Sequence, residues 1–115
     1  MGMSFQPDSE ADPDEIKAEV DEALESNDVV LFMKGNQLMP QCGYSSKALE
    51  LISKHVDSFE TVDVLPALAE YRAALSEHSG WETIPQTFVD GEFIGGSDIL
   101  EELEERGELE AELST

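Results

Sequence analysis

Residues 29–45 read VVLFMKGNQLMPQCGYS, and this stretch decides the fold. Its opening five residues are all apolar, which is typical of a strand buried on both faces of a sheet. A polar loop follows, and a helix is predicted from about Gly43 to Val56. Cys42 therefore stands where a loop turns into a helix, directly after a buried strand.

Outward from this stretch, helices and strands alternate along the chain. Asp12 before Pro13 predicts a helix start, because a capping side chain precedes a proline at the first helical position. Asp90-Gly91 between two apolar runs predicts a β-hairpin. The predicted elements are a helix at 13–26, a strand at 29–33, a helix at 43–56, a strand at 59–64, a helix at 66–78, strands at 86–89 and 92–94, a final helix capped by Ser97 or Asp98 and ending near Gly107, and a last helical turn at 109–113.

This order predicts an α/β fold with a four-stranded mixed sheet flanked by helices. The first two strands are joined through a helix and should be parallel, whereas the hairpin strands are antiparallel. At 115 residues the chain fits one domain. Residues 1–11 are polar and show no periodicity, so we predict a disordered acidic tail there and one domain over residues 12–113.

The charge of the chain excludes several kinds of partner. Acidic residues number 27 and basic residues 6, for a net charge of −21. Without a basic face to neutralise phosphates, we expect no binding to nucleic acid and none to a membrane. The acid surface is interpreted either as a docking surface for a basic partner or as adaptation to concentrated salt. We favour the halophilic interpretation, since molar salt shortens the Debye length to about 3 Å and screens the self-repulsion.

The N-terminus and the cysteine content point to one compartment. No basic flank or apolar segment indicates a signal peptide, and no apolar run approaches the roughly 20 residues of a membrane-spanning helix. A single cysteine excludes an internal disulfide and a zinc site of clustered thiolates, and it suits a reducing environment. We therefore expect a cytoplasmic protein.

The setting of Cys42 favours a reactive thiol over an inert, buried one. Helix N-termini and neighbouring ammonium groups lower thiol pKa values, and Lys34 ends the preceding strand. Ser45 occupies the position at which a Cys-x-x-Cys motif has its second cysteine. The sulfur that Cys42 works with must therefore come from a small thiol, a client protein, a second subunit or an inorganic cluster.

Several motifs, in order along the chain, resemble those of monothiol glutaredoxins. The family usually carries Cys-Gly-Phe-Ser, and Tyr44 replaces the phenylalanine here. The motifs are Lys34-Gly35 with Pro40-Gln41-Cys42-Gly43-Tyr44-Ser45, the segment Trp81 to Gln86, the segment Gly91 to Asp98, and the spacing from Arg72 to Trp81. The resemblance covers about residues 15–112 and implies a thioredoxin-like (glutaredoxin) fold, which agrees with the predicted element order.

The resemblance also implies a binding groove for glutathione or another γ-glutamyl thiol beside Cys42. The residues implied to bind this thiol are Lys34 and Arg72 through its carboxylates, Ile84 through its peptide backbone, and Ser97 and Asp98 at its γ-glutamyl end.

Further features follow from the same resemblance. The peptide bond before Pro85 would be cis, and Gly95 and Gly96 would let the backbone approach the ligand closely. Two departures from the family pattern weaken the expected binding of glutathione. Glu82 replaces a proline, and Ser76 stands where many members have a basic residue.

The resemblance implies two alternative functions. A [2Fe–2S] cluster needs four ligands, so Cys42 from each chain of a homodimer and two glutathione-like thiols would complete it. The protein would then carry clusters to iron–sulfur recipient or scaffold proteins. The alternative is a glutathione-dependent thiol–disulfide oxidoreductase, in which catalytic Cys42 attacks a mixed disulfide. The Ser45 signature favours the carrier, and an acidic scaffold with an incidental thiol is the least favoured class.

The remaining candidates are interpreted as structural. His55 and His78 are expected to act as cations at helix ends, and Trp81 is expected to pack. The acidic stretch 101–112 is interpreted as a solvated helix face.

Overall fold

The computed structural model describes residues 12–114, so the predicted tail at residues 1–11 lies outside the described residues. Helices and strands alternate along this part of the chain, largely as predicted. The elements are α1 (Pro13–Ser26), β1 (Val29–Met33), α2 (Gly43–Ser53), β2 (Glu60–Asp63), a 3-10 turn (Leu65–Ala67), α3 (Leu68–Ser79), β3 (Gln86–Val89), β4 (Glu92–Gly95), α4 (Ser97–Glu105) and α5 (Leu109–Leu113). None of the described helices is both long and apolar enough to cross a membrane.

The four strands form one mixed sheet in the order β2-β1-β3-β4. β1 runs parallel to β2, with Phe32 opposite Val62, and antiparallel to β3. β3 and β4 form the antiparallel hairpin, and Asp90 and Gly91 at its turn both have positive φ. The predicted four-stranded mixed sheet is confirmed.

Helices cover both faces of this sheet. All five residues of β1 are buried, because alternate side chains enter the two cores. Val30 and Phe32 pack with α1 and α3, and Leu31 and Met33 pack with α2, α4 and α5. On α1 the buried residues recur at helical spacing, and they are Ile16, Val20, Ala23 and Leu24.

The helix ends differ most from the sequence predictions. α2 ends at Ser53 rather than Val56, because the following residues tighten into turns such as Lys54 N–H to the Leu51 carbonyl at 3.3 Å. Its buried face includes Leu51, whereas Leu49 and Val56 are only partly buried.

Two predicted helix starts are also wrong. Pro66 lies in the 3-10 turn, and α3 begins only at Leu68. Gly96, rather than Ser97 or Asp98, caps α4, and it supplies no side-chain hydrogen bond. The helix begins directly after β4 because the Leu100 N–H already bonds the Gly96 carbonyl, at 3.1 Å, and Leu100 is fully buried.

Candidate functional site

The loop between β1 and α2 places Cys42 at the N-cap of α2. The Gln41 N–H bonds the Lys34 carbonyl at 2.9 Å, which closes the loop. Gly35 is required at its base, because its φ is +93° and a Cβ there would lie 2.5 Å from the Met39 carbonyl oxygen. The turn is held by the Asn36 side chain, whose Oδ1 accepts the Met39 N–H at 2.8 Å. The loop therefore fixes the start of α2.

The helix start favours the ionised form of the partly exposed Cys42 thiol. The backbone N–H groups of Ser45 and, more weakly, Tyr44 lower the pKa of the Cys42 thiol, and they outweigh the opposing effect of burial. The Lys34 ammonium and the Ser45 hydroxyl lower it further. The Cys42 side chain makes no capping hydrogen bond, so these N–H groups remain available to a thiolate.

Ser45 itself is fully buried. Its Oγ accepts the backbone N–H of Lys34 at 3.0 Å. The residue that replaces a second cysteine therefore ties the end of β1 to the first turn of α2. This contact was not predicted, because no sequence pattern reports a hydrogen bond between residues eleven apart.

Beside the helix start lies a groove of about 560 Å³. Three of the predicted ligand-binding residues line it, namely Ile84, Ser97 and Asp98. Its other lining residues are Tyr44, Trp81, Thr83, Pro85, Phe93, Ile94, Gly95, Gly96 and Ile99. A mainly apolar groove with a few polar groups is typical of a small-molecule site.

Trp81 differs from its predicted packing role. Its side chain is 59% exposed and borders the groove rather than the core. Tyr44, next to Cys42, is also exposed. Both aromatic rings are therefore available to a ligand or a partner.

The segment before β3 forms one wall of this groove and is held by Gln86. The fully buried Gln86 side chain donates from Nε2 to the carbonyls of Trp81, at 2.8 Å, and Thr83, at 3.2 Å. The peptide bond from Ile84 to Pro85 is cis, as the resemblance implied. The sequence predicted Gln86 only as the start of a strand, because its amide contacts depend on how the preceding segment folds back.

Gly95 and Gly96, which also line the groove, are required by close packing within the fold. Gly95 has φ +154°, and a Cβ there would lie 2.5 Å from the Cβ of Ile99. A Cβ on Gly96 would lie 3.1 Å from the Pro85 carbonyl oxygen. These glycines were expected to admit a ligand, whereas the structure shows α4 and the Pro85 segment occupying the space.

Lys34 and Arg72 differ from the other basic residues. Four of the six Lys and Arg side chains pair with carboxylates, and they are Lys17, Lys47, Lys54 and Arg106. Within residues 12–114, neither Lys34 nor Arg72 has a carboxylate oxygen within 4 Å. Lys34 lies close enough to Cys42 to lower its pKa, but neither Lys34 nor Arg72 is among the residues that line the groove, and Cys42 itself lies beside the groove rather than in its lining.

His78 lies in the last turn of α3 and His55 in the turn that follows α2, and each pairs with a carboxylate on a neighbouring helix. His55 Nε2 is 2.7 Å from Glu104, and His78 Nε2 is 2.9 Å from Asp21. Among the residues that the structure describes, no group of three or more His, Cys, Asp or Glu side chains is arranged to hold a metal ion.

Comparisons with known proteins show which proteins this chain resembles. Residues 29–94 match the family model described as glutaredoxin. A ycf64-like monothiol glutaredoxin of Synechocystis sp. is 50% identical over 96 residues, which cover 84% of this chain and 89% of that relative. Monothiol glutaredoxin ycf64 of Porphyra purpurea is 44% identical over 101 residues, covering 88% of this chain and 94% of the relative.

A solved structure shows the same architecture. The solution structure of reduced apo GrxS14 from poplar superposes with a TM-score of 0.74 at 40% identity. The superposition covers 85% of this chain and 89% of that chain. It confirms the predicted thioredoxin-like fold.

Proposed function

The chain belongs to the glutaredoxin family, with monothiol glutaredoxins as its homologues, and from this premise we propose that it binds and transfers a [2Fe–2S] cluster. Glutathione or another γ-glutamyl thiol serves as co-ligand, and the clients are iron–sulfur recipient or scaffold proteins. A cytoplasmic location is part of the proposal.

The single observation that carries the proposal is the position of the lone Cys42 at the start of α2, where Tyr44 of the same helix lines a groove of about 560 Å³. Each chain supplies one thiolate, Cys42, whereas a [2Fe–2S] cluster takes four ligands. Two chains and two bound thiols complete this number, so the cluster bridges a homodimer. The lowered pKa of Cys42 suits this role, because the thiolate is the form that binds iron.

The two unpaired cations support binding of an anionic thiol. In a chain with 27 acidic residues, a Lys or Arg side chain has many possible carboxylate partners. Lys34 and Arg72 nonetheless have none within residues 12–114. Glutathione carries two carboxylates, which these cations would neutralise, while Ile84, Ser97 and Asp98 would bind its backbone and its γ-glutamyl end.

The same thiolate supports the second candidate, glutathione-dependent thiol–disulfide exchange. Cys42 would attack the glutathione sulfur of a protein mixed disulfide and release the protein thiolate. A second glutathione thiolate would then attack the Cys42–glutathione disulfide, which frees Cys42 and forms glutathione disulfide. This exchange needs only one protein thiol. The Cys42 thiol is partly exposed, so a mixed disulfide could reach it.

Anaerobic reconstitution with iron, sulfide and glutathione in high salt tests the carrier. We expect visible absorption from the cluster and a concentration-dependent dimer in sedimentation. Both signals should be lost in Cys42→Ser and in preparations without glutathione.

A relocated thiol provides the matched control. Ser46 is exposed on the same helix turn, so the double variant Cys42→Ser/Ser46→Cys keeps one cysteine but moves it from the N-cap. If the protein is a cluster carrier, this variant should stay colourless. A colourless wild-type monomer that turns over a mixed-disulfide substrate would instead establish the exchange enzyme.

A further inference from the structure

Three hydrogen bonds hold the main chain around Lys34, the first residue after β1. Its N–H donates to Ser45 Oγ at 3.0 Å, and its carbonyl accepts the Gln41 N–H at 2.9 Å. The next N–H along the chain, that of Gly35, donates to Oδ1 of Asp63 at 3.0 Å. Among the three acceptors only the Asp63 carboxylate carries a charge, and hydrogen bonds to ionised groups are about twice as strong as neutral ones. We therefore expect the Asp63 contact to be the strongest of the three.

Asp63 stands at the point where the pairing of β1 with β2 stops. It is the last residue of β2 and lies opposite Met33, the last residue of β1. Its Oδ1 also accepts the N–H of Leu65, in the 3-10 turn, at 3.0 Å. Within residues 12–114 no Lys, Arg or His nitrogen lies within 4 Å of its carboxylate. The carboxylate therefore serves backbone N–H groups and no ion pair in this part of the chain.

Gly35 is the residue at which the loop of residues 35–41 begins and closes. It forms an isolated antiparallel bridge with Pro40, and a Cβ on it would lie 2.5 Å from the backbone of the same loop. The loop thus packs directly against the backbone that donates to Asp63. Cys42 follows the loop at the N-cap of α2. A contact that fixes Gly35 therefore fixes the path of the chain into α2.

We propose that Asp63 is a positioning residue for the candidate site. Its carboxylate anchors the loop of residues 35–41 and thereby sets where Lys34 and Cys42 lie relative to each other. The inference rests on the proposed binding of an anionic thiol. It adds to that site a residue of β2, which belongs neither to the motifs of the sequence nor to the lining of the groove.

The charge of Asp63 and its hydrogen bond have opposite expected effects on an anionic thiol. As a charge, the carboxylate repels the carboxylates of glutathione, so its removal alone would tighten binding. As an acceptor, it keeps Lys34 in place, so its removal weakens binding because the loop must then be ordered when the thiol binds. Asparagine separates the two effects, since its side-chain oxygen accepts N–H groups without a charge.

Calorimetric titration with glutathione in molar salt compares the variants. We expect Asp63→Ala to weaken binding about fivefold and Asp63→Asn to stay within about twofold of the wild type. Glu60→Ala is the matched control, because Glu60 is exposed at the other end of β2 and its removal takes away an equal charge. Its affinity should equal that of the wild type. Unchanged or tighter binding in Asp63→Ala would overturn the proposal, since the carboxylate would then act by repulsion rather than by positioning.

Amide hydrogen exchange on the apo protein tests the anchor without any ligand. We expect the Gly35 amide to exchange about tenfold faster in Asp63→Ala, with no change at Leu31 in the middle of β1. Asp63→Asn should restore the exchange rate of the wild type. An unchanged rate at Gly35 in Asp63→Ala would overturn the proposal. Equal acceleration at Gly35 and Leu31 would overturn it too, because that result indicates general loss of stability.

The two measurements also separate this proposal from the proposed function. A wild-type protein that binds no glutathione, but in which Asp63→Ala releases the Gly35 amide alone, would contradict the proposed function and still establish Asp63 as the anchor of the loop. A wild-type protein that binds glutathione as tightly as Asp63→Ala would retain the proposed function and remove Asp63 from the site.

Discussion

Two kinds of polar contact hold this molecule, and they lie in different regions. Between the helices several ion pairs lie at the exposed surface, whereas beside the site the hydrogen bonds of Ser45 and Gln86 are neutral and buried. Lys17 and Glu77 join α1 and α3 at 3.0 Å with side chains that are 50% and 56% exposed. By contrast, Ser45 and Gln86 are fully buried where they bond the backbone beside Cys42 and along the groove.

This difference decides which contacts respond to salt. Exposed ion pairs contribute little to stability and are screened as ionic strength rises. Hydrogen bonds between neutral buried groups are not screened in this way. In a chain of net charge −21, the contacts of Ser45 and Gln86 should therefore be less sensitive to salt than the surface ion pairs.

The largest effect is expected at the buried contact of Gln86. Gln86→Leu removes the donor that bonds the Trp81 and Thr83 carbonyls, so we expect a loss of about 1–2 kcal/mol in the free energy of unfolding. The segment before β3 should also become less ordered, and glutathione should therefore bind more weakly. Urea unfolding in molar salt and calorimetric titration with glutathione measure the two effects.

Gln37→Leu is the matched control for this substitution. Gln37 is an exposed glutamine whose hydrogen bonds are long, at 3.4 and 3.5 Å. We expect a change within about 0.5 kcal/mol, as for most surface substitutions. Equal destabilisation by the two variants would remove the distinction between buried and exposed contacts.

A smaller effect is expected at Lys34 and Arg72, which pair with no carboxylate among residues 12–114. Lys34→Gln and Arg72→Gln should each weaken glutathione binding about tenfold, which corresponds to about 1.4 kcal/mol. Lys47→Gln removes an equal charge from a lysine that already pairs with Glu101 at 3.2 Å, and it should leave the affinity unchanged.

Titration calorimetry at fixed salt separates these variants. Equal losses in Lys34→Gln and Lys47→Gln would show that total charge, rather than the position of the cation, sets the affinity. A loss in Lys34→Gln alone would remove Arg72 from the proposed site.

The smallest effect is expected at Glu104, which joins α4 to the end of α2. The hydrogen bond from His55 is the main cause that lowers the pKa of the Glu104 carboxyl below its usual value of 4.5. The contact therefore stabilises the fold above that value, and the stabilisation is lost as the pH falls through the lower, folded-state pKa. The difference in unfolding free energy between wild type and Glu104→Gln should shrink over this acidic range.

Glu102→Gln provides the comparison on the same helix. Glu102 pairs with Arg106 at 2.6 Å on the exposed face, and both side chains are more than half exposed. Urea unfolding at a series of acidic pH values measures both variants. A Glu104→Gln difference that stays constant with pH would contradict the assignment of the pKa shift to His55.

The local patterns of the chain predicted the elements well and their ends poorly. The apolar run of β1, the α1 cap at Asp12 and the Asp90-Gly91 turn are each encoded by neighbouring residues. The end of α2 and the cap of α4 depend on packing between elements. The residues after β4 enter a helix as soon as the sheet ends, so Gly96 caps it although Ser97 is the better capping residue.

The sequence predicted which residues belong to the site, but it did not predict the contacts that hold the site together. Cys42, Ile84, Ser97 and Asp98 came from the motifs, and the structure places the last three in one groove. The hydrogen bonds of Ser45 and Gln86 could not be predicted, since each joins a side chain to a backbone group that only the folded chain brings near. The exposure of Trp81 depends likewise on the path of the chain before β3.

The contact between Gly95 and Ile99 has a consequence for protein design. A Cβ at position 95 would lie only 2.5 Å from the Cβ of Ile99, and the φ of +154° would strain any side chain there even beside a smaller residue at position 99. A designer who wished to reshape the groove would therefore keep Gly95 and change Ile99, which also lines the groove.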